Sequence, residues 1–329
     1  MATLIKMKQL DDIDGDGPIQ SGMTVALNNL LEEMCVLRGA ALDWSDPEGV
    51  HKMRVASRRL RCALRDFAPW LRKHSISPAL EQVKEIANAL GRVRDQDVAI
   101  ITLERTAARA PAAVAAGIRR LFQLRDARRR HARVKLKPIL ARESLAALNT
   151  KFKAALAGRA RSARVRPSPK QNVSTEITYR EVARSIILTR LADLEKLSSS
   201  LFQPHKIKPL HDLRIAAKHL RYALELFEQC WGAPVVCFAK EVAGLQSSLG
   251  KLHDCDIWLE DLGELGDDAT QVLNPEQRAT VVWLFSHFLK LRSKHLRAAL
   301  IQWQEWESKD FSRRLRSNVE VTFLGEQSK

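Results

Sequence analysis

Two stretches of this chain are written twice. Residues 51–67 read HKMRVASRRLRCALRDF, and residues 211–227 read HDLRIAAKHLRYALELF. At an offset of 160, His51 matches His211, Arg54 matches Arg214, Arg58 matches Lys218, Leu60 matches Leu220, Arg61 matches Arg221 and Phe67 matches Phe227. A second pair, LGRVRDQDV (90–98) and LGKLHDCDI (249–257), follows in the same order at an offset of 159. Blocks that keep both order and register point to a duplicated unit. The fold must then be one that a chain can build twice. The copies fall at about 18–157 and 173–318. Between them, 158–172 is basic, contains Pro and Ser, lacks an apolar face and reads as a linker. Residues 1–17, with Asp11, Asp12, Asp14 and Asp16 against Lys6 and Lys8, read as a disordered acidic leader. Residues 319–329 read as a C-terminal tail.

The material of each copy is helical. From Ile19 onward, apolar residues recur at three- and four-residue spacings, and Ala, Leu, Arg, Glu and Lys dominate. Gly and Pro number only 14 and 12 in 329 residues, too few for a turn-rich β architecture. No segment alternates apolar and polar residues in the manner of a strand, so the expected class is all-α. Asp43–Pro47 separates a first helix from one starting near Pro47. Ser77-Pro78 reads as an N-cap followed by a first-turn proline. Gly91 is expected to end that helix, with another starting near Asp95. A basic helix then runs from about Pro111 to Lys137, where Pro138 bends or interrupts it, and one more reaches Leu156. Trp70, Trp231, Trp258 and Trp283 look like core positions.

The five cysteines form an odd set without a CxxC pair. Cys35, Cys62, Cys230 and Cys237 lie among apolar neighbours, as buried thiols in a reducing compartment do. No apolar h-region follows the N-terminus, and Val281–Leu289 is too short to span a bilayer. A cytoplasmic location without membrane insertion is expected.

Charge then narrows the partner. The net charge is +16, and a field of that sign attracts nucleic acid, phosphate polymers or an anionic membrane surface. On a helix, His51, Arg54, Arg58, Arg61 and Arg65 fall within an arc of about 80°, with Met53, Ala56, Leu60, Ala63, Leu64 and Phe67 nearly opposite. One side packs into a core; the other carries a row of cations over about 20 Å. His211, Arg214, Lys218 and Arg221 repeat the row, with Glu225 standing where Arg65 stood. Like charges stacked at these spacings repel by a few tenths of a kcal/mol per pair. A merely solvated face would intersperse acids, and a row repeated in both copies is better read as a binding surface. Arginine forks match the non-bridging oxygens of phosphate. No aromatic side chain lies in the rows, which disfavours base stacking, and no helix-turn-helix or zinc-finger pattern appears. A late basic helix in each copy supplies second-rank contacts, Arg125 and Arg292.

Catalysis is not expected. No HExxH, Gly-rich phosphate loop, GxSxG or paired-carboxylate pocket is present. His253-Asp254-Cys255-Asp256 resembles a metal site, but the first copy carries Arg94-Asp95-Gln96-Asp97 there, so neither a metal nor another cofactor is expected. Asp95 and Asp254 read instead as N-caps or as partners of nearby arginines. Each histidine, set among arginines, should be held neutral until an anion arrives.

The HxxRVAxRRLR…LRxF block, its copy HDLRIAAKHLRYALELF and the paired LGxxRDxD-type blocks together resemble the CHAD family, named for conserved histidines in an α-helical domain. The resemblance spans about 18–318. It implies two pseudo-symmetric antiparallel helical bundles whose basic faces line a central cleft or pore. It further implies binding of inorganic polyphosphate and association with polyphosphate granules. Matched position by position, the implied binding residues are His51, Arg54, Arg58, Arg61, His211, Arg214, Lys218 and Arg221, with Glu225 a departure from symmetry. A nonspecific nucleic-acid binder is the alternative, followed by a metal-dependent tri- or polyphosphatase. Oligomeric state is not legible.

Overall fold

The computed structural model describes residues 13–157, 177–267 and 274–320. The linker 158–172, residues 173–176 and most of the leader and tail lie outside the described residues. The described chain is helical: α1 (Ile19–Val36), α2 (Arg38–Leu42), α3 (Pro47–Asp66), α4 (Lys73–Ala107), α5 (Ala112–Ile139), α6 (Arg142–Ala157), α7 (Tyr179–Leu197), α8 (Ile207–Leu226), α9 (Glu228–Trp231), α10 (Ala233–Asp267), α11 (Pro275–Ser308) and α12 (Phe311–Glu320). The all-α class is therefore what the chain adopts. The bounds of α8 and α10 lie 160 residues beyond those of α3 and α4, the offset at which the first motif recurs. No helix among the described residues is long and apolar enough to cross a membrane.

Two compact units form. One comprises Met1–Glu104 with Phe122–Ala183, the other Arg105–Leu121 with Arg184–Lys329. In the first unit α3 begins at Asp46, whose carboxylate accepts the Glu48 N–H at 2.9 Å, with Pro47 at the first helical position. The face of α3 carrying Met53, Ala56, Leu60, Ala63, Leu64 and Phe67 is buried. Gly49 allows α3 to approach α2, since a Cβ there would lie 1.9 Å from the Ala40 carbonyl oxygen. In the second unit α8 buries Leu213, Ala216, Leu220, Ala223, Leu224 and Phe227 in the same pattern. Phe311 of α12 meets Phe238 of α10 edge to face and stacks on Trp306 of α11.

Several local expectations are corrected. Gly91 does not end a helix, and none begins at Asp95: α4 runs unbroken for 35 residues with Pro78 inside its second turn. Val83, Ile86, Leu90, Val93, Ile100 and Leu103 stay buried along its length. That continuous apolar seam outweighs the weak helix propensity of one glycine. Cys237 is exposed and Cys35 only half-buried, whereas Cys62, Cys230 and Cys255 are buried. Trp231 and Trp258 are core, but Trp70 and Trp283 are half-exposed. Residues 13–17, assigned to the leader, are tied to α7. The Arg180 guanidinium donates to both Asp16 carboxylate oxygens at 2.8 and 3.1 Å, and the Arg180 and Tyr179 N–H groups donate to the carbonyls of Gly15 and Gly17.

Candidate functional site

The register of α3 sets its basic row. Because the face opposite is buried, His51, Arg54, Arg58 and Arg61 emerge half-exposed, and Arg65 is exposed. Two acids from neighbouring positions temper the row. The Arg54 guanidinium donates to Asp95 at 3.3 Å, which makes Asp95 an ion-pair partner rather than a cap. Glu48 lies 3.8 Å from Arg94. Burial, with Arg94 beside it, holds the His51 imidazolium below its ordinary range despite the opposing pull of Glu48. At neutral pH His51 is therefore a neutral ring among fixed cations.

Behind the row lies an ion cluster that sequence reading missed. The heptad-like seam Val83, Ile86, Leu90, Val93 lands next on Asp97, so this carboxylate occupies a core position of α4 and is buried. A buried carboxylate needs a countercharge. Arg129 and Arg133 of α5 approach its Oδ1 at 3.6 and 3.8 Å. Desolvation nevertheless outweighs Arg133, Arg129 and Arg94, and raises the Asp97 carboxyl above its usual range. Arg133 also caps the ring of Trp44 at 5.0 Å. Arg125, chosen from sequence, is half-exposed on α5, the helix from which Arg129 and Arg133 reach the buried carboxylate.

The second unit builds the same layout with different side chains. The seam Val242, Leu245, Leu249, Leu252 lands on Asp256, which is buried. The Arg292 guanidinium of α11 donates to Asp256 at 2.6 Å and to the Pro204 carbonyl at 2.7 Å. On α8, His211, Arg214, Lys218 and Arg221 emerge half-exposed. Glu225 is buried and accepts from the Arg221 Nε–H at 2.6 Å, and Arg221 also reaches Gln246 at 3.4 Å. The acid that breaks the symmetry of the rows thus turns Arg221 inward. Where the first unit has Arg94, the second has His253, whose Nδ1 lies 3.3 Å from Nδ1 of His211 with ring centroids 4.4 Å apart. Burial, then Arg214 and Lys218, hold both imidazoles low, His253 down to about 4. Both rings open onto a groove of about 800 Å³ between the start of α8, α10 and α11. In the His253–Asp256 run, burial and the two flanking aspartates push the Cys255 thiol up to about 12, so it is protonated at neutral pH.

Comparison with known proteins agrees with this architecture. The CHAD domain family model matches residues 25–263, which is most of the chain. The chain belongs to the CHAD domain family. Among solved structures, the CHAD domain from the plant Ricinus communis is similar at 23% identity with a TM-score of 0.65, covering 88% of this chain and 93% of that one. PptA from Streptomyces chartreusis is similar at 16% identity with a TM-score of 0.62, covering 88% of this chain and 100% of that one. Both likenesses concern the fold. None of the curated proteins compared matches the chain.

Proposed function

We propose that this protein holds inorganic polyphosphate, without hydrolysing it, on the basic rows of α3 and α8. The observation that carries this reading is the geometry of the rows. Each helix buries its apolar face, while His51, Arg54, Arg58 and Arg61, and likewise His211, Arg214 and Lys218, are half-exposed along the opposite side. Guanidinium groups one helical turn apart repeat every ~5.4 Å, a ladder of point and fork donors suited to a flexible chain of phosphates. The rows carry no stacking ring, which favours a polymer without bases over nucleic acid. CHAD family resemblance supports polyphosphate as the polymer, and with it a cytoplasmic site of action at polyphosphate granules.

Arg54, Arg58, Arg61, Arg214 and Lys218 are the primary contacts. His51 and His211 join them on proton uptake. Arg221 is a weaker contact because Glu225 already binds its guanidinium. Arg292, whose charge Asp256 takes, acts as a support for the groove rather than as a free cation.

The test is a triple charge reversal, R54E/R58E/R214E, assayed for binding of long-chain polyphosphate alongside far-ultraviolet circular dichroism. Loss of binding with an intact helical spectrum is the expected result; retained binding overturns the assignment of the site. Duplex DNA offered at equal phosphate concentration should fail to displace polyphosphate. Displacement would favour nucleic acid as the partner, and phosphate release in Mg²⁺ or Mn²⁺ would favour hydrolysis.

A further inference from the structure

We propose that His253 is a further anion-binding residue that works with His211 as one proton-accepting unit, so that the second unit's site takes up a proton when it takes up phosphate. This inference rests on the polyphosphate reading given above.

The geometry carries it. Nδ1 of His253 and Nδ1 of His211 lie 3.3 Å apart across α10 and α8. Two imidazoles in that position share one hydrogen: one ring donates, the other accepts, and both need not be charged. A single added proton converts the pair into an imidazolium hydrogen-bonded to an imidazole, a charge-assisted contact that is stronger than the neutral one. A second proton would set two cations about 3 Å apart, so the pair takes one proton and resists the next.

The surroundings decide when that proton arrives. On α8, Arg214, Lys218 and Lys208 disfavour it, and Asp212 favours it. On α10, Asp256 and Glu260 line the same groove, and Asp256 is bound by Arg292 of α11. His205, before α8, also lines the groove. Without ligand, burial first and then the cations prevail, and His253 is held down to about 4. A phosphate chain laid along Arg214 and Lys218 cancels their field and supplies oxygens that accept from a protonated ring. The bound form therefore holds its proton at higher pH than the free form. By linkage, affinity rises as pH falls through the bound-state pKa and levels off only near the free-state value.

The two units then differ in kind. At the matching place in α4 the first unit carries Arg94, which is charged at all working pH values, so its site has one titrating ring where the second has two. His253→Arg should copy the first unit's arrangement.

The experiment is calorimetric titration of the full chain with long-chain polyphosphate in buffers of differing ionisation enthalpy, for the natural protein and the H253R and H253Q variants. Histidine ring NMR of the ligand-free protein is run in parallel. Proton uptake should be clear in the natural protein and fall in both variants, and H253R should bind several-fold tighter than the natural protein at pH 8. The NMR titration should show the His211 and His253 rings coupled and resisting protonation well below pH 6.5. Polyphosphate binding with proton uptake unchanged in both variants overturns this inference alone, as do two rings titrating independently near pH 6.5. Absence of polyphosphate binding at every pH overturns the polyphosphate reading, and this inference with it.

Discussion

At the scale of single residues, the informative side chains are the acids. Asp97 and Asp256 occupy core positions of α4 and α10 and draw Arg129, Arg133 and Arg292 across to the same end of each bundle. They act by organising cations, since both are buried. Removing Asp256 takes away the carboxylate that the largely buried Arg292 guanidinium binds. D256N should lower the unfolding free energy by roughly 1–3 kcal/mol, read from urea denaturation. An unchanged midpoint would mean that the Asp256–Arg292 pair contributes nothing net. Glu225 works in the opposite sense on function. E225Q keeps the buried shape but releases Arg221, and polyphosphate affinity should rise about two- to tenfold, measured by titration at fixed salt. No change would indicate that Arg221 stays turned toward Gln246.

At the scale of elements, α4 is where local signals and tertiary packing disagree most. Gly91 lies mid-helix, and a Cβ added there would meet only Arg54 Nε at 3.7 Å. G91A should therefore stabilise the protein by about 0.5–1 kcal/mol, seen as a higher thermal midpoint. A helix that stopped at Gly91 would respond with a loss. Gly49 provides the contrast: it lies in the first turn of α3, and G49A would drive a methyl group into the Ala40 carbonyl. That substitution should cost at least about 1–3 kcal/mol and shift the N-terminus of the helix that carries His51. The same comparison explains what was legible. The amphipathic split of α3 and α8 is a local, periodic property, so it can be read from spacing alone. The end of α4 depends on whether a seam of buried leucines and valines continues past a glycine, and that is settled by the helices packed on it.

At the scale of the whole molecule, charge and protons set the behaviour. With about six phosphate contacts, the logarithm of the binding constant should fall against the logarithm of salt with a slope of roughly −4, and affinity should rise with phosphate chain length. A flat salt dependence would remove the electrostatic basis of the site. Stability should follow the histidines. His51, His211, His253, His287 and His295 are all held below their ordinary pKa, chiefly by burial. Their unfolded forms bind more protons than their folded forms below about pH 6.5. The sign is therefore a loss of stability as pH falls from 7 toward 5, and polyphosphate should oppose it by lending counter-charge to His51, His211 and His253. Thermal melts across that range, with and without polyphosphate, check both halves of the statement.

Read alone, the sequence determined the helical class, the twice-written motif and the cation rows of α3 and α8, because each is carried by residues a few positions apart on one element. The CHAD resemblance adds the family, which the family model bears out. Tertiary structure alone decided the rest. It placed Asp97 under Arg129 and Arg133, set Arg292 on Asp256, and brought His253 to His211 across 42 residues of chain. A repeating pattern announces which face of a helix is buried. It does not announce which polar group of a second helix will lie against that face, because that depends on the distance and register between two elements packed side by side.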